Sequence, residues 1–213
     1  MSVPDDVVGL FLEGGRVVAE AIADPAVAAA WDRPSVLEDQ LVSGLAGHVA
    51  RGVWAVGEYL EAGPAQGPVA FGSAGEYFTV FAESASTDDH RAIRDRGAAV
   101  AAVGRDELIR RLEDWLVVLG PRLRSLEVDH LVAVLSGKVM RLEDYLTTRI
   151  VEQVVHLDDL ARSIGRGPWS LPTGAQALAI AVGTDIAARR RGSDAVIRSL
   201  YRKGFAAQTL PVL

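Results

Sequence analysis

The pattern of hydrophobic and polar positions along the chain predicts a series of helices. From Asp5 to about Ala30, apolar residues recur at helical intervals: Val8, Phe11, Leu12, Val17, Val18, Ile22 and Val27. Asp24-Pro25 is expected to break this stretch, and Pro25 would then start a second short helix. The N-terminal region is therefore predicted as one long helix followed by a short one.

A second amphipathic stretch is predicted as one long helix from about Val36 to Glu61. Its start is expected near Ser35, because Ser35 and Glu38 have the spacing of a capping box, in which each side chain satisfies a backbone N–H of the other residue. The apolar face of this helix includes His48, together with Leu37, Leu41, Leu45, Val49, Val53, Val56 and Leu60. Residues 63–75 are rich in Gly and Pro and are predicted to form a long loop.

The middle of the chain is predicted as two further helices and one extended segment. The first helix starts near Ser73 or Gly75, with an irregularity around residues 84–89. The second opens at Gly104 and ends at Pro121 or shortly after it. Residues 128–139 are rich in β-branched side chains and show no helical period, so they are predicted as an extended connection or a short hairpin.

The last third of the chain contains its strongest helical pattern, from Leu142 to Ile164. Gly165 and the Gly167-Pro168 pair are expected to end this helix. Residues 173–191 and 193–203 predict two more helices.

The predicted fold class is all-α, because helix follows helix, and the long helices fit a four-helix bundle. Residues 1–168 are predicted to form the bundle, and residues 169–213 a C-terminal helical extension that packs on the bundle or on a partner. Since 49% of the residues are hydrophobic, the chain can bury a substantial core. Apolar faces on the last two helices also allow a homodimer.

Composition and charge narrow the function. The net charge of −6 argues against a nucleic-acid partner, which normally requires a basic surface. The chain contains no cysteine, so any thiol chemistry must come from a bound small molecule. The acidic start lacks the basic region of a signal peptide, and no apolar run approaches the ~18 residues of a membrane span. A cytoplasmic protein is therefore expected.

The candidate chemistry lies in the helix that starts at Leu142. Glu152 and His156 are four residues apart, so on a helix they lie on one face, roughly 6 Å apart along the axis. A carboxylate and an imidazole placed in this way can converge on one metal ion, and His48 on the predicted helix from Val36 to Glu61 can add a third ligand. Such a pair can also be a weak surface contact. The apolar neighbours, among them Val155, favour a buried pair that requires compensation.

Other residues are expected to support this site or to lie outside it. Asp158 or Asp159 can hold the ring N–H of His48 across the bundle and so fix its tautomer. His90 lies in a polar helix start and His130 in an irregular segment, and neither is expected to be a ligand. The chain has no HExxH motif, no P-loop and no dinucleotide-binding fingerprint.

Three runs of residues together resemble a known family. They are Trp31-x-x-Pro34-Ser35, then Leu45-Ala46-Gly47-His48-Val49, then the run from Asp144-Tyr145-Leu146 through Arg149, Glu152 and His156 to Asp158-Asp159-Leu160-Ala161. This pattern resembles the metal-binding N-terminal domain of mycothiol-dependent maleylpyruvate isomerases, which belongs to the DinB-like superfamily of four-helix bundles. The resemblance covers roughly residues 5 to 165.

The resemblance implies a zinc ion held by His48, Glu152 and His156, with positions left open for water or substrate. It also implies mycothiol as the thiol cofactor. In the family, zinc lowers the pKa of the bound thiol, and the thiolate adds to the double bond of the substrate, which isomerises before the thiol leaves. Related members of the superfamily transfer such thiols to electrophiles.

The chain departs from the isomerase pattern after Pro172. The resemblance implies that in the isomerases this domain is followed by an α/β domain, which contributes basic substrate-binding residues. In this chain, the residues after Pro172 are instead predicted to be helical. The substrate is therefore left open. Three functions remain: a zinc-dependent thiol transferase or isomerase, a non-catalytic metal- or ligand-binding regulatory module, and a purely structural bundle.

Overall fold

The computed structural model describes residues 5–127, 129–134 and 137–204 and consists mainly of helices. The helices are α1 (Asp5–Ala23), α2 (Pro25–Ala29), α3 (Val42–Glu61), α4 (Ala74–Ser84), α5 (Thr87–Ala101), α6 (Arg105–Arg124), α7 (Leu142–Ser163), α8 (Thr173–Arg191) and α9 (Ser193–Tyr201). The strands are β1 (Val69–Phe71), β2 (Leu131–Val134) and β3 (Lys138–Arg141). The prediction of a mainly helical fold is confirmed.

Four long helices, α1, α3, α6 and α7, form the bundle, and each of α1 and α3 packs against both α6 and α7. Their facing sides are apolar and fully buried, as at Phe11, Trp54, Leu112 and Leu146. The short helix α5 lies along α3. Glycines permit this close approach: a Cβ at Gly97 would lie 2.6 Å from the carbonyl oxygen of Gly44. Helix α5 is thereby held directly beside His48.

Most helix boundaries follow the local signals in the sequence. Asp24 caps α2 by accepting a hydrogen bond from the backbone N–H of Ala26, and Pro25 takes the first helical position. Ser73 caps α4 in the same way. The strongly periodic α7 ends at Ser163, and α8 spans the predicted residues 173–191. Local capping and periodicity are sufficient to place these elements.

The predicted start of α3 is wrong. The helix begins at Val42, and the Ser35–Glu38 capping box does not form. The hydroxyl of Ser35 instead accepts a hydrogen bond from the backbone N–H of Leu37. The backbone N–H of Ser35 donates to the carbonyl of Gln40. The loop is also tied to α7, because the N–H of Val36 donates to the Ser163 hydroxyl. These tertiary and cross-loop hydrogen bonds replace the helical ones that the sequence spacing suggested.

A small three-stranded sheet packs against the bundle. Strands β2 and β3 form an antiparallel hairpin, which matches one of the two predicted alternatives for residues 128–139; residues 128, 135 and 136 lie outside the described chain. Strand β1 pairs in parallel with β3, although its segment was predicted as loop. The hairpin lies against α3 and α7, so β2 forms part of the surroundings of the site.

Helices α8 and α9 follow the bundle. Helix α8 packs against α4 and α7, and α9 packs against α8. The boundary between a bundle at 1–168 and an extension at 169–213 stays a prediction. Within the described ranges, no helix combines the length and the apolar character needed to cross a lipid bilayer.

Candidate metal centre

Two packed helices bring the three predicted ligand residues together. His48 lies in the middle of α3, and Glu152 and His156 lie on one face of α7. One potential ligand atom from each residue falls within 4.8 Å of the others. Among the residues that the structure describes, no other group of three or more His, Asp or Glu side chains converges in this way.

A single carboxylate oxygen lies at the centre of the group. Glu152 Oε2 is 3.0 Å from His48 Nε2 and 3.3 Å from His156 Nε2. The two imidazole rings meet edge to face, with centroids 4.9 Å apart. Both histidines therefore point the same nitrogen at the same carboxylate.

The imidazole of His156 is held from behind by Asp159. The Nδ1 atom of His156 lies 3.0 Å from Asp159 Oδ2, three residues along the same helix. The prediction that Asp159 holds His48 across the bundle is wrong, because the histidine that Asp159 contacts is His156. With the proton of Nδ1 donated to Asp159, Nε2 is the nitrogen that faces Glu152, and it could bind a metal ion once it has lost its own proton.

Electrostatics keep Glu152 charged. Burial by itself would raise the pKa of this carboxyl, but hydrogen bonds from His156 and His48 and the charge of Arg149 outweigh burial and hold the pKa well below its ordinary value. Burial would lower the pKa of His156, but its bonds to Asp159 and Glu152 prevail and raise that pKa to about 9. A metal at this centre would thus take the place of a proton on His156.

The centre is reachable from solvent. The side chains of His48, Glu152 and His156 are 20–24% exposed. The prediction that Val155 helps to bury the pair is wrong: this side chain is 46% exposed and projects from the outer face of α7. The cluster therefore sits at the floor of an opening in the bundle.

A comparison with family models gives a match over residues 11–161, to the mycothiol maleylpyruvate isomerase N-terminal domain. The chain belongs to this family. Searches of curated proteins and of solved structures gave no match. The family match includes His48, Glu152 and His156 and ends before α8.

The arrangement of these three side chains fits a zinc ligand set. Zinc bonds of about 2.1 Å in a tetrahedral site place neighbouring ligand atoms about 3.4 Å apart. The contacts of 3.0 and 3.3 Å from Glu152 to the histidines are close to this separation. Two imidazoles and one carboxylate also form a donor set that leaves a position open for a further ligand.

The two remaining histidines do not join the cluster. His90 is exposed on α5, with its ring 5.7 Å from that of Phe81. His130 has a buried Nε2 without a hydrogen-bond partner among the described residues. Burial and the charge of Arg122 lower the pKa of His130, which favours a neutral ring.

Apart from Tyr145 and Arg149, which belong to the motif on α7, sequence reasoning missed the residues that surround the centre. A cavity of about 150 Å³ adjoins His48 and Glu152 and is lined by Tyr59, Tyr145 and Arg149 among others. Spacing along α7 could have found part of it, because residues 145, 149, 152 and 156 are separated by four, three and four positions and share one face. Tyr77, which comes from α4, has no such signal.

Proposed function

We propose that this protein binds a divalent metal ion, zinc by its donor set, through His48, Glu152 and His156, and uses it to activate mycothiol in an isomerase or S-transferase reaction. The convergence of three ligand atoms within 4.8 Å carries this proposal. Membership of the mycothiol maleylpyruvate isomerase N-terminal domain family supports the choice of thiol.

Each residue has a defined role in the proposed reaction. His48 and His156 supply neutral nitrogen donors, and Glu152 supplies the negative charge that balances part of the metal charge. Asp159 orients the ring of His156 so that Nε2 is the nitrogen directed at the metal position. When bound, the metal lowers the pKa of a coordinated thiol and so supplies a thiolate nucleophile at neutral pH. A chain without cysteine must obtain this thiol from solution.

Metal content tests the ligand assignment. The purified protein is expected to bind one zinc per chain, and His156→Ala is expected to lose it, as measured by elemental analysis after dialysis. His90→Ala is the matched control, because it removes an imidazole that borders the same opening without belonging to the cluster. Equal zinc in wild type and His156→Ala would refute the assignment.

Thiol binding separates an enzyme from a binding module. Titration of the zinc-loaded protein with mycothiol is expected to release protons, because the thiol ionises on the metal. Proton release that is absent from His156→Ala would support the enzyme. Tight zinc binding without any binding of mycothiol at millimolar concentration would favour the second candidate, a non-catalytic metal-binding module of the same fold.

A further inference from the structure

The outer side of α8 lacks the charged residues that a helix on a protein surface normally carries. Residues 167–184 contain no charged side chain. The inner side of the helix packs on the bundle, with Ile186 buried. On the outer side, apolar residues are exposed, among them Ala177, Ile180 and Ala181. A helix that is apolar on both sides is typical of a buried position, yet among the described residues no element covers the outer side of α8.

Helix α9, which packs against α8, adds to this exposed apolar surface. Ile197, Leu200 and Tyr201 are separated by three positions and one, so they share one face of the helix, and each is more than half exposed. Among the described residues outside α8 and α9, no isoleucine, leucine or tyrosine is exposed to that extent. Large apolar side chains exposed together in this way are typical of a surface that binds a partner.

The spacing of residues on the outer face of α8 fits a second helix with the same sequence. Ile180 is the large side chain of this face, and it lies between the small residues Ala177 and Thr184, next to Ala181. Small residues on a helix leave a shallow hole into which a side chain of a facing helix can insert. When two copies of this face meet, the isoleucine of each copy can fill the hole on the other.

The surroundings of the two ends of α8 carry complementary charges. The helix ends in the arginines Arg189–Arg191. Near its start, a Cβ at Gly174 would lie 3.0 Å from Leu10 of α1. Asp6 and Glu13 are exposed, and they lie four residues before Leu10 and three after it, on the same side of α1. An antiparallel pair of α8 helices brings the arginines of each copy to the acidic start of the other, whereas a parallel pair places arginines against arginines.

The size of a stable interface indicates that α9 takes part as well. Helix α8 has 19 residues, so it is about 28 Å long, and a face about 10 Å wide covers roughly 300 Å². Stable interfaces between proteins bury about 800 Å² on each partner. The outer face of α8 is too small by itself, and the adjoining helix α9 supplies the nearest further apolar surface.

We propose that a second copy of this chain covers the outer face of α8 and the apolar face of α9, with the two α8 helices antiparallel about a two-fold axis near Ile180. The lack of charge along α8 favours a second copy over an anionic membrane surface, which attracts helices with basic residues along their length. The proposal is independent of the metal centre, whose three residues lie on α3 and α7.

Sedimentation velocity tests the interface. At a concentration on the order of 10 μM, the protein is expected to sediment with twice the 22.7 kDa mass of one chain. Ile180→Glu is expected to raise the dissociation constant by at least about a hundredfold, because it buries two unpaired charges at the axis. Val117→Glu is the matched control, since Val117 on α6 is 75% exposed and Ile180 is 68% exposed. Circular dichroism checks that both variants fold.

Disulfide cross-linking tests the antiparallel arrangement. Because the chain contains no cysteine, a single introduced thiol can pair only with the same thiol of a second copy. Ala181→Cys lies next to the axis and is expected to form a disulfide-linked dimer on oxidation. Thr173→Cys lies on the same face, but the antiparallel arrangement puts its two copies about 20 Å apart, whereas a disulfide requires Cα atoms within about 7 Å. This variant is expected to remain uncross-linked on a non-reducing gel.

Several outcomes would overturn this proposal. One is a monomer in the wild-type protein at a concentration ten times higher. Another is a dimer of undiminished affinity in Ile180→Glu, which would place the interface elsewhere. Equal cross-linking of Ala181→Cys and Thr173→Cys would show a parallel pair. A monomer that binds vesicles of anionic phospholipid, and loses this binding in Ile180→Glu, would assign the surface to a membrane instead.

Discussion

Two adjacent residues of α7 direct polar groups at different neighbouring helices, with different consequences. Gln153 faces α1, where its amide donates to the carbonyl of Phe11 at 3.2 Å and its side chain packs against Gly14. Glu152 faces α3, where two histidines converge on it beside a cavity. Gln153 is 2% exposed, whereas the Glu152 side chain is 22% exposed.

This comparison shows that buried polarity alone does not mark a functional site. The Gln153 side stabilises the contact between two helices through one hydrogen bond and close packing. On the Glu152 side, two imidazoles converge on one carboxylate oxygen, and the group is accessible from solvent. Convergence together with an opening distinguishes a ligand site from a structural hydrogen bond, and substitutions on the two sides of α7 should separate these roles.

The largest effect is expected from Glu152→Gln. This change removes the anionic ligand and keeps its shape, so zinc affinity should fall by about a hundredfold or more, given that loss of a supporting partner alone costs tenfold to a hundredfold. Competition with a chelator measures the affinity. Glu113→Gln, which removes an exposed carboxylate from α6, is expected to bind zinc like wild type. Wild-type affinity in Glu152→Gln would place the metal elsewhere.

A smaller effect on the same side is expected from Asp159→Asn. The amide no longer carries the charge that orients His156, so zinc affinity should fall by about tenfold to a hundredfold. The neighbouring Asp158 is exposed, and Asp158→Asn is the matched control in the same chelator competition. Equal losses in both variants would show a general effect of helix charge.

On the other side of α7, Gly14→Ala is expected to change stability without changing zinc binding. The new Cβ would overlap with the buried amide oxygen of Gln153. Overpacking costs about 1–3 kcal/mol and alanine gains about 1 kcal/mol in helix propensity, so the free energy of unfolding should fall by up to about 2 kcal/mol.

Urea denaturation measures this difference, and zinc content should stay at the wild-type level. Gly9→Ala on the same helix meets no atom within 4 Å and should be neutral or stabilising. Loss of zinc in Gly14→Ala would show that the contact with α1 and the metal centre are coupled, which would contradict their separate roles.

The smallest effect is expected in proton release. The pKa of His156 is raised to about 9, so in the metal-free protein this ring stabilises the fold below its ordinary pKa of about 6.5, and that contribution is lost as pH rises through about 9. Zinc must displace the proton. At pH 7.5, calorimetry in buffers of different ionisation enthalpy should show about one proton released per zinc from this ring, with less at higher pH.

Local features of the sequence account for much of this protein. Periodicity and end signals place α7 and α8, and the four-residue spacing puts Glu152 and His156 on one face. The contact between His156 and Asp159 also follows from helical spacing, although it was assigned to the wrong histidine. The start of α3 could not be found in this way, because cross-loop bonds at Ser35 decide it.

The sequence by itself determined which residues share a helical face, that any thiol must come from outside the chain, and which family motif the chain carries. Tertiary structure decided which faces meet. His48 is 104 residues from Glu152, and only the packing of α3 on α7 brings their atoms to 3.0 Å. Likewise, Tyr77 reaches Arg149 only because α4 packs on α7. Helical periodicity encodes direction around one axis, whereas the register between helices depends on side chains distant along the chain.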